Sequence, residues 1–141
     1  MKKVLLLGII ITSVLSCSLD NSTEEEFFFE ILPIESVTLP SEMRYQESYT
    51  INYTYFKPST CHIFNDLYYL SEGNFRTIAV INTVLNEVNN VVCQPLTDEL
   101  EERSFTFFCS NNSGSYVFKF WKGKDEIGED VYTFVEVPIV N

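Results

Sequence analysis

His62 is the only imidazole in 141 residues, which limits what this chain can catalyse. A hydrolase that pairs a nucleophile with a base has one residue to build on. Cys61 stands beside it, but adjacent residues of a strand point to opposite faces, so no dyad forms between the two. Cys109 or a serine can meet His62 only through the tertiary fold. Zinc sites want four closely placed nitrogen or sulfur ligands, more than this chain brings together. No glycine-rich phosphate loop occurs, and no cofactor is expected. Twenty acidic residues guarantee some close carboxylate pair, yet a glycosidase also needs an apolar cleft that raises its acid's pKa. Asp125-Glu126-Ile127-Gly128-Glu129-Asp130 gathers four carboxylates around a glycine turn, an oxygen-rich loop of the kind that holds Ca²⁺. It lacks the alternating ligand order of an EF-hand, and a solvated hairpin tip is the expected state. The chain is expected not to be an enzyme. Tyr45, Tyr49, Tyr53, Tyr55, Tyr68, Tyr69 and Trp121 offer a different chemistry, aromatic platforms for sugars, although most strand aromatics belong to a core or a half-buried sheet surface.

Strands must position these residues. Tyr49, Ile51, Tyr53 and Tyr55 alternate with Thr50, Asn52 and Thr54, the period of a half-buried strand, and Lys57-Pro58-Ser59 ends it. A second strand is predicted over 61–70, a turn at Ser71-Glu72-Gly73-Asn74, and a third strand over 75–85. Thr77-Ile78-Ala79-Val80-Ile81 is apolar on both faces, which places that strand centrally, and its β-branched density argues against a helix. Residues 86–102 are the least regular, with either a helical turn or a loop over 96–102. Phe105–Cys109, the turn at 111–114 and Ser115–Trp121 read as the clearest hairpin. Within it Tyr116, Phe118 and Phe120 should face inward, leaving Trp121 with Lys119 on the outer face. Asp130–Ile139 alternates again, and a short strand lies near Ile34–Leu39. About seven strands spaced by turns predict an all-β fold, a single immunoglobulin-like antiparallel β-sandwich.

The composition sets the surroundings. With 45% apolar and 15% aromatic residues the chain must bury a core, and about 110 residues suffice for one core but not two. The net charge of −11, with basic residues scattered, excludes nucleic acid as a partner. Met1-Lys2-Lys3 precedes an apolar run over 4–15, shorter than the roughly 20 residues of a membrane-spanning helix and suited to a cleaved export signal. Val14-Leu15-Ser16-Cys17 resembles the bacterial lipobox, which implies cleavage after residue 16 and lipid attachment at Cys17. The expected organisation is a signal peptide over 1–16, an acidic flexible tether over 17–30 and the sandwich domain over 31–141, with Phe27-Phe28-Phe29 marking where folded structure begins. Loss of Lys2 and Lys3 leaves seven basic against 20 acidic residues. Cys61, Cys93 and Cys109 then remain in an oxidising compartment. One disulfide is expected. Cys61–Cys93 is favoured because the strand pair brings Cys61 level with the end of the central strand, just before the segment holding Cys93. Cys93–Cys109 is the alternative.

The lipobox, Pro33-Ile34-Glu35-Ser36-Val37, the tyrosine-rich strand running into Lys57-Pro58-Ser59-Thr60-Cys61, and Gly114-Ser115-Tyr116-Val117-Phe118-Lys119-Phe120-Trp121-Lys122-Gly123 together resemble small uncharacterised surface lipoproteins of Bacteroidetes with an Ig-like domain. The resemblance implies a fold and a location and carries over no catalytic residue or ligand. Asn52-Tyr53-Thr54 and Asn111-Asn112-Ser113 match an N-glycosylation pattern that has no meaning in that setting. The acidic run after Cys17 resembles a surface-export signal, so display on the outer membrane is expected over a periplasmic site. The expected function is a non-catalytic, lipid-anchored binding or assembly module for a glycan or an envelope protein. A small lipid-anchored hydrolase or hydrolase inhibitor is the alternative.

Overall fold

The computed structural model describes residues 26–88 and 90–140. Nine strands run through them: β1 (Phe27–Leu32), β2 (Ser36–Thr38), β3 (Met43–Arg44), β4 (Ser48–Phe56), β5 (His62–Glu72), β6 (Phe75–Leu85), β7 (Leu100–Phe108), β8 (Ser115–Lys124) and β9 (Asp130–Val140). No helix occurs among the described residues. The strands form two sheets, as alternating apolar residues require: each sheet has one oily face, and stacking two such faces removes both from water. One sheet has six strands and the other three, β2-β4-β7. In the larger sheet β6 is central. β5 pairs along one edge of it, while β1 (at Val80–Leu85) and β8 (at Phe75–Ile78) share the other edge end to end. β9 pairs with β8, and β3 closes that side. Most pairings are antiparallel, but β6–β8 and β3–β9 are parallel.

Two extra short strands account for the difference from the expected seven. β1 takes in Phe27–Glu30, at the end of the stretch expected to be a tether, and adds to the sheet where β8 leaves β6. Residues 17–25, with Cys17, and the signal peptide lie outside the described residues.

The hairpin expected from Phe105–Cys109 and Ser115–Trp121 is not one. β7 pairs with β4 in the small sheet, β8 with β6 and β9 in the large one, and the Asn111–Gly114 turn crosses between layers. Alternation predicts faces but not partners, and these two strands share the core rather than a ladder. Phe107 meets Tyr116 and Phe118 edge to face at 4.8 and 5.1 Å across the sandwich. Tyr116 Oη accepts the N–H groups of Ser110 and Asn111 at 3.1 and 2.9 Å, which pins the crossing. The segment over 96–102 is likewise neither helical turn nor wholly loop, since β7 begins at Leu100.

Between the layers lie Leu32, Ile34, Met43, Ile51, Tyr53, Tyr55, Ile78, Val80, Phe107, Tyr116, Phe118, Phe120 and Val137. Gly73 turns β5 into β6 at φ +59, a conformation that side chains with a Cβ rarely adopt. Burial raises the hydroxyl pKa of Tyr53 to about 12, with Arg103 acting against it, and pushes Tyr55 up further, helped by the nearby charge of Glu101. Folded tyrosines that stay protonated while unfolded ones ionise make the unfolded state bind fewer protons above pH ~10. Stability should therefore be complete below pH ~10 and fall as pH rises through the folded pKa, by about 2–3 kcal/mol for Tyr53. Urea midpoints across this range should show the decline, and Tyr53→Phe should flatten it; equal slopes in both proteins would contradict the assignment.

Candidate functional site

Where β8 leaves β6 and β1 takes its place, the outer face of the large sheet opens into a pocket of about 450 Å³. Thr77 and Ala79 of β6 form its floor, and both are buried although they lie on the outer face. Ile31, Tyr68, Trp121 and Tyr132 wall it, with Lys124 and Asp130 at the rim. The alternation that sends Phe120 and Val137 into the core sends Trp121 and Tyr132 out, and the regular β8–β9 register sets these two directly opposite each other, just before the ladder becomes irregular between Trp121 and Gly123.

The rim is organised by one carboxylate. Asp130 Oδ1 accepts the indole N–H of Trp121 at 2.9 Å and the Lys124 ammonium at 3.0 Å. These bonds, the indole's first, hold the Asp130 carboxyl below its usual range, and Asp130 in turn raises Lys124. Lys124 also reaches the Gly128 carbonyl at 3.2 Å, so the acidic tip is fastened to the pocket wall. Lys119 Nζ sits 4.7 Å from the centre of the Tyr132 ring and 5.8 Å from that of Phe134. Apolar exposure continues outward, with Ile31 half exposed and Phe29 and Phe134 about 60% exposed.

Two of the four carboxylates of the acidic turn are committed. Asp125 Oδ1 accepts the N–H groups of Ile127 and Glu129 at 3.0 and 2.9 Å, and Asp130 is engaged as above. Among the described residues no group of three His, Cys, Asp or Glu side chains is placed to hold a metal.

His62 has a fuller setting than its sequence suggested. Its Nδ1 lies 2.7 Å from Ser59 Oγ and its Nε2 2.7 Å from Glu30 Oε2. This is the hydrogen-bond order of a nucleophile–base–acid relay with the two ring nitrogens exchanged. The serine arrives through a local turn, not through the tertiary fold: His62 N–H donates to Ser59 O, and a Ser-x-x-His spacing across such a turn was the signal available in the sequence. The amides that would have to stabilise an oxyanion are already used, however. Thr60 N–H donates to Gln94 O, Cys61 N–H to Ser59 Oγ at 3.2 Å and His62 N–H to Ser59 O. Neither Ser59, His62 nor Glu30 lines the outer-face pocket. The chain of bonds ties β1 to the start of β5.

Cys61 and Cys93 are joined by a disulfide with Cα atoms 5.3 Å apart, and Cys109 is a free, fully buried thiol whose pKa burial pushes up. Of the seven aromatics proposed as platforms, Tyr53 and Tyr55 are core, while Tyr68 and Trp121 are brought together at the pocket. Tyr45 and Tyr69 are exposed elsewhere, and Tyr49 bonds Glu47. Tyr132, which completes the pocket, lies in the alternating stretch over 130–139, and period two cannot say which neighbours an outward residue will meet. No family model, curated protein or solved structure matches the chain.

Proposed function

We propose that the protein is a non-catalytic binding module of the bacterial envelope, anchored by lipid on Cys17 and displayed at the outer membrane surface, that recognises an uncharged saccharide on the outer face of its larger sheet. The observation that carries this reading is the pocket between Tyr68, Trp121 and Tyr132. Aromatic walls suit the C–H face of a pyranose ring, and a few fixed polar groups orient it. Asp130 can accept from sugar hydroxyls and Lys124 can donate to them. Each neutralises the other, and Lys119 already occupies the π-face of Tyr132, which disfavours a cationic ligand. The acidic lipobox-to-domain stretch and the charge of −11 support exposure at a surface.

Trp121 is the only tryptophan, so its fluorescence reports on the site directly. Titration with neutral hexasaccharides of glucose, mannose, galactose and xylose should give a saturable change with at least one of them. Tyr132→Ala should weaken that binding about tenfold or more, as loss of an anchor aromatic does. No change with any of the four would sink the saccharide assignment. The second reading, a small lipid-anchored hydrolase or hydrolase inhibitor, rests on the Ser59–His62–Glu30 chain. A fluorophosphonate probe decides between them: Ser59 should stay unlabelled, and labelling that disappears in His62→Ala would favour the hydrolase.

A further inference from the structure

The inner face of β6 carries a charge with no counter-charge. Arg76 is 94% buried by its 6% exposure, beneath a groove of about 450 Å³ that opens between the free edges of β5 and β7. Its Nη1 donates to the carbonyls of Gly73 and Phe75 at 2.8 and 2.7 Å, and its guanidinium carbon lies 4.8 and 5.9 Å from the ring centres of Tyr116 and Phe107. No carboxylate among the described residues pairs with it. Tyr69, on the groove wall, also engages the guanidinium through its hydroxyl, but that neutral group brings no charge to balance it. A guanidinium buried without an anion is costly, and its fork of donors matches two oxygens of one acid group.

The lining fits such a guest. Tyr69, Ser71, Thr106 and Ser110 bring hydroxyls, while Leu67 and Phe105 give apolar walls. Asp66, the one acidic lining residue, is exposed and accepts the N–H of Leu67. We propose that this groove is an oxyanion site, in which Arg76 binds a carboxylate, sulfate-ester or phosphate-ester group of a ligand whose apolar body rests on Leu67 and Phe105. The site lies on the opposite face of β6 from Thr77 and Ala79, and so stands or falls independently of the saccharide pocket.

The test follows the Arg76 Nε–H resonance in the ¹⁵N-labelled full chain during titration with benzoate, benzenesulfonate and phenyl phosphate, with benzyl alcohol as the uncharged comparison. At least one of the three anions should shift it saturably and bind about tenfold or more tightly than benzyl alcohol, a margin expected of charge-assisted hydrogen bonds. Which anion binds tightest separates a carboxylate from a tetrahedral ester. Binding should vanish in Arg76→Met and persist in Trp121→Ala. Equal affinity for benzyl alcohol and all three anions, or an unmoved Arg76 resonance, overturns the proposal. That comparison uses the unmodified chain, so it holds even where Arg76→Met fails to fold.

Discussion

Phe118→Ala should destabilise the domain by about 3–5 kcal/mol, the range for deleting a fully buried aromatic ring. Phe118 has no exposed surface and sits where the layers meet: Phe107 from the small sheet lies edge to face with it at 5.1 Å, Phe120 stacks on it at 6.2 Å and Tyr116 flanks it at 6.2 Å. The cavity left by the ring would border side chains from both sheets, so neither sheet can collapse alone to fill it. Urea denaturation of Phe118→Ala and Trp121→Ala should therefore separate sharply, with the partly buried Trp121 on the outer face costing far less stability while carrying the binding effect. Comparable losses in the two variants would mean that the outer face is as much a packing surface as the inner one.

The same pair of residues shows how far the sequence could be read. Period-two alternation gave the face of Phe118 and of Trp121 correctly, because a strand's side-chain period is set by backbone geometry alone. It could not pair the strands. β7 and β8 are joined by a short glycine-containing turn and look like a hairpin, yet Phe107 and Tyr116 are drawn into the same core from opposite layers. Burial outweighs proximity along the chain when both strands carry an oily face. The site suffered most from this. Thr77, Tyr68, Trp121 and Tyr132 come from four strands, and their meeting depends on β1 and β8 sharing one edge of β6. The short-range Ser59–His62 contact was legible in principle, whereas Glu30, 32 residues from His62, was not.

Removing the disulfide should cost nearly as much as removing Phe118. Cys61 and Cys93 are 32 residues apart, and closing a loop of that length stabilises by about 3–4 kcal/mol in the chain-entropy model. The Cys61→Ala/Cys93→Ala double variant should fall by that amount in urea. The local setting adds a second, separable consequence. None of the described residues in the connection from β6 to β7 is buried, and Val92 faces solvent; the connection is fastened to the segment before β5 by backbone bonds from Thr60 N–H to Gln94 O and from Leu96 N–H to Pro58 O, and by Gln94 N–H to Thr60 Oγ1. All three bonds lie within a few residues of the sulfur bridge. Amide exchange in the double variant should therefore accelerate first at Gln94 and Leu96, while Ile78, Val80 and Phe118 exchange only with global unfolding. Cys109, fully buried and donating to Asn111 O, should remain unreactive to thiol reagents until the domain unfolds. If the double variant kept wild-type stability with protection intact at Gln94 and Leu96, the backbone bonds alone would hold the connection and the disulfide would be dispensable to the fold.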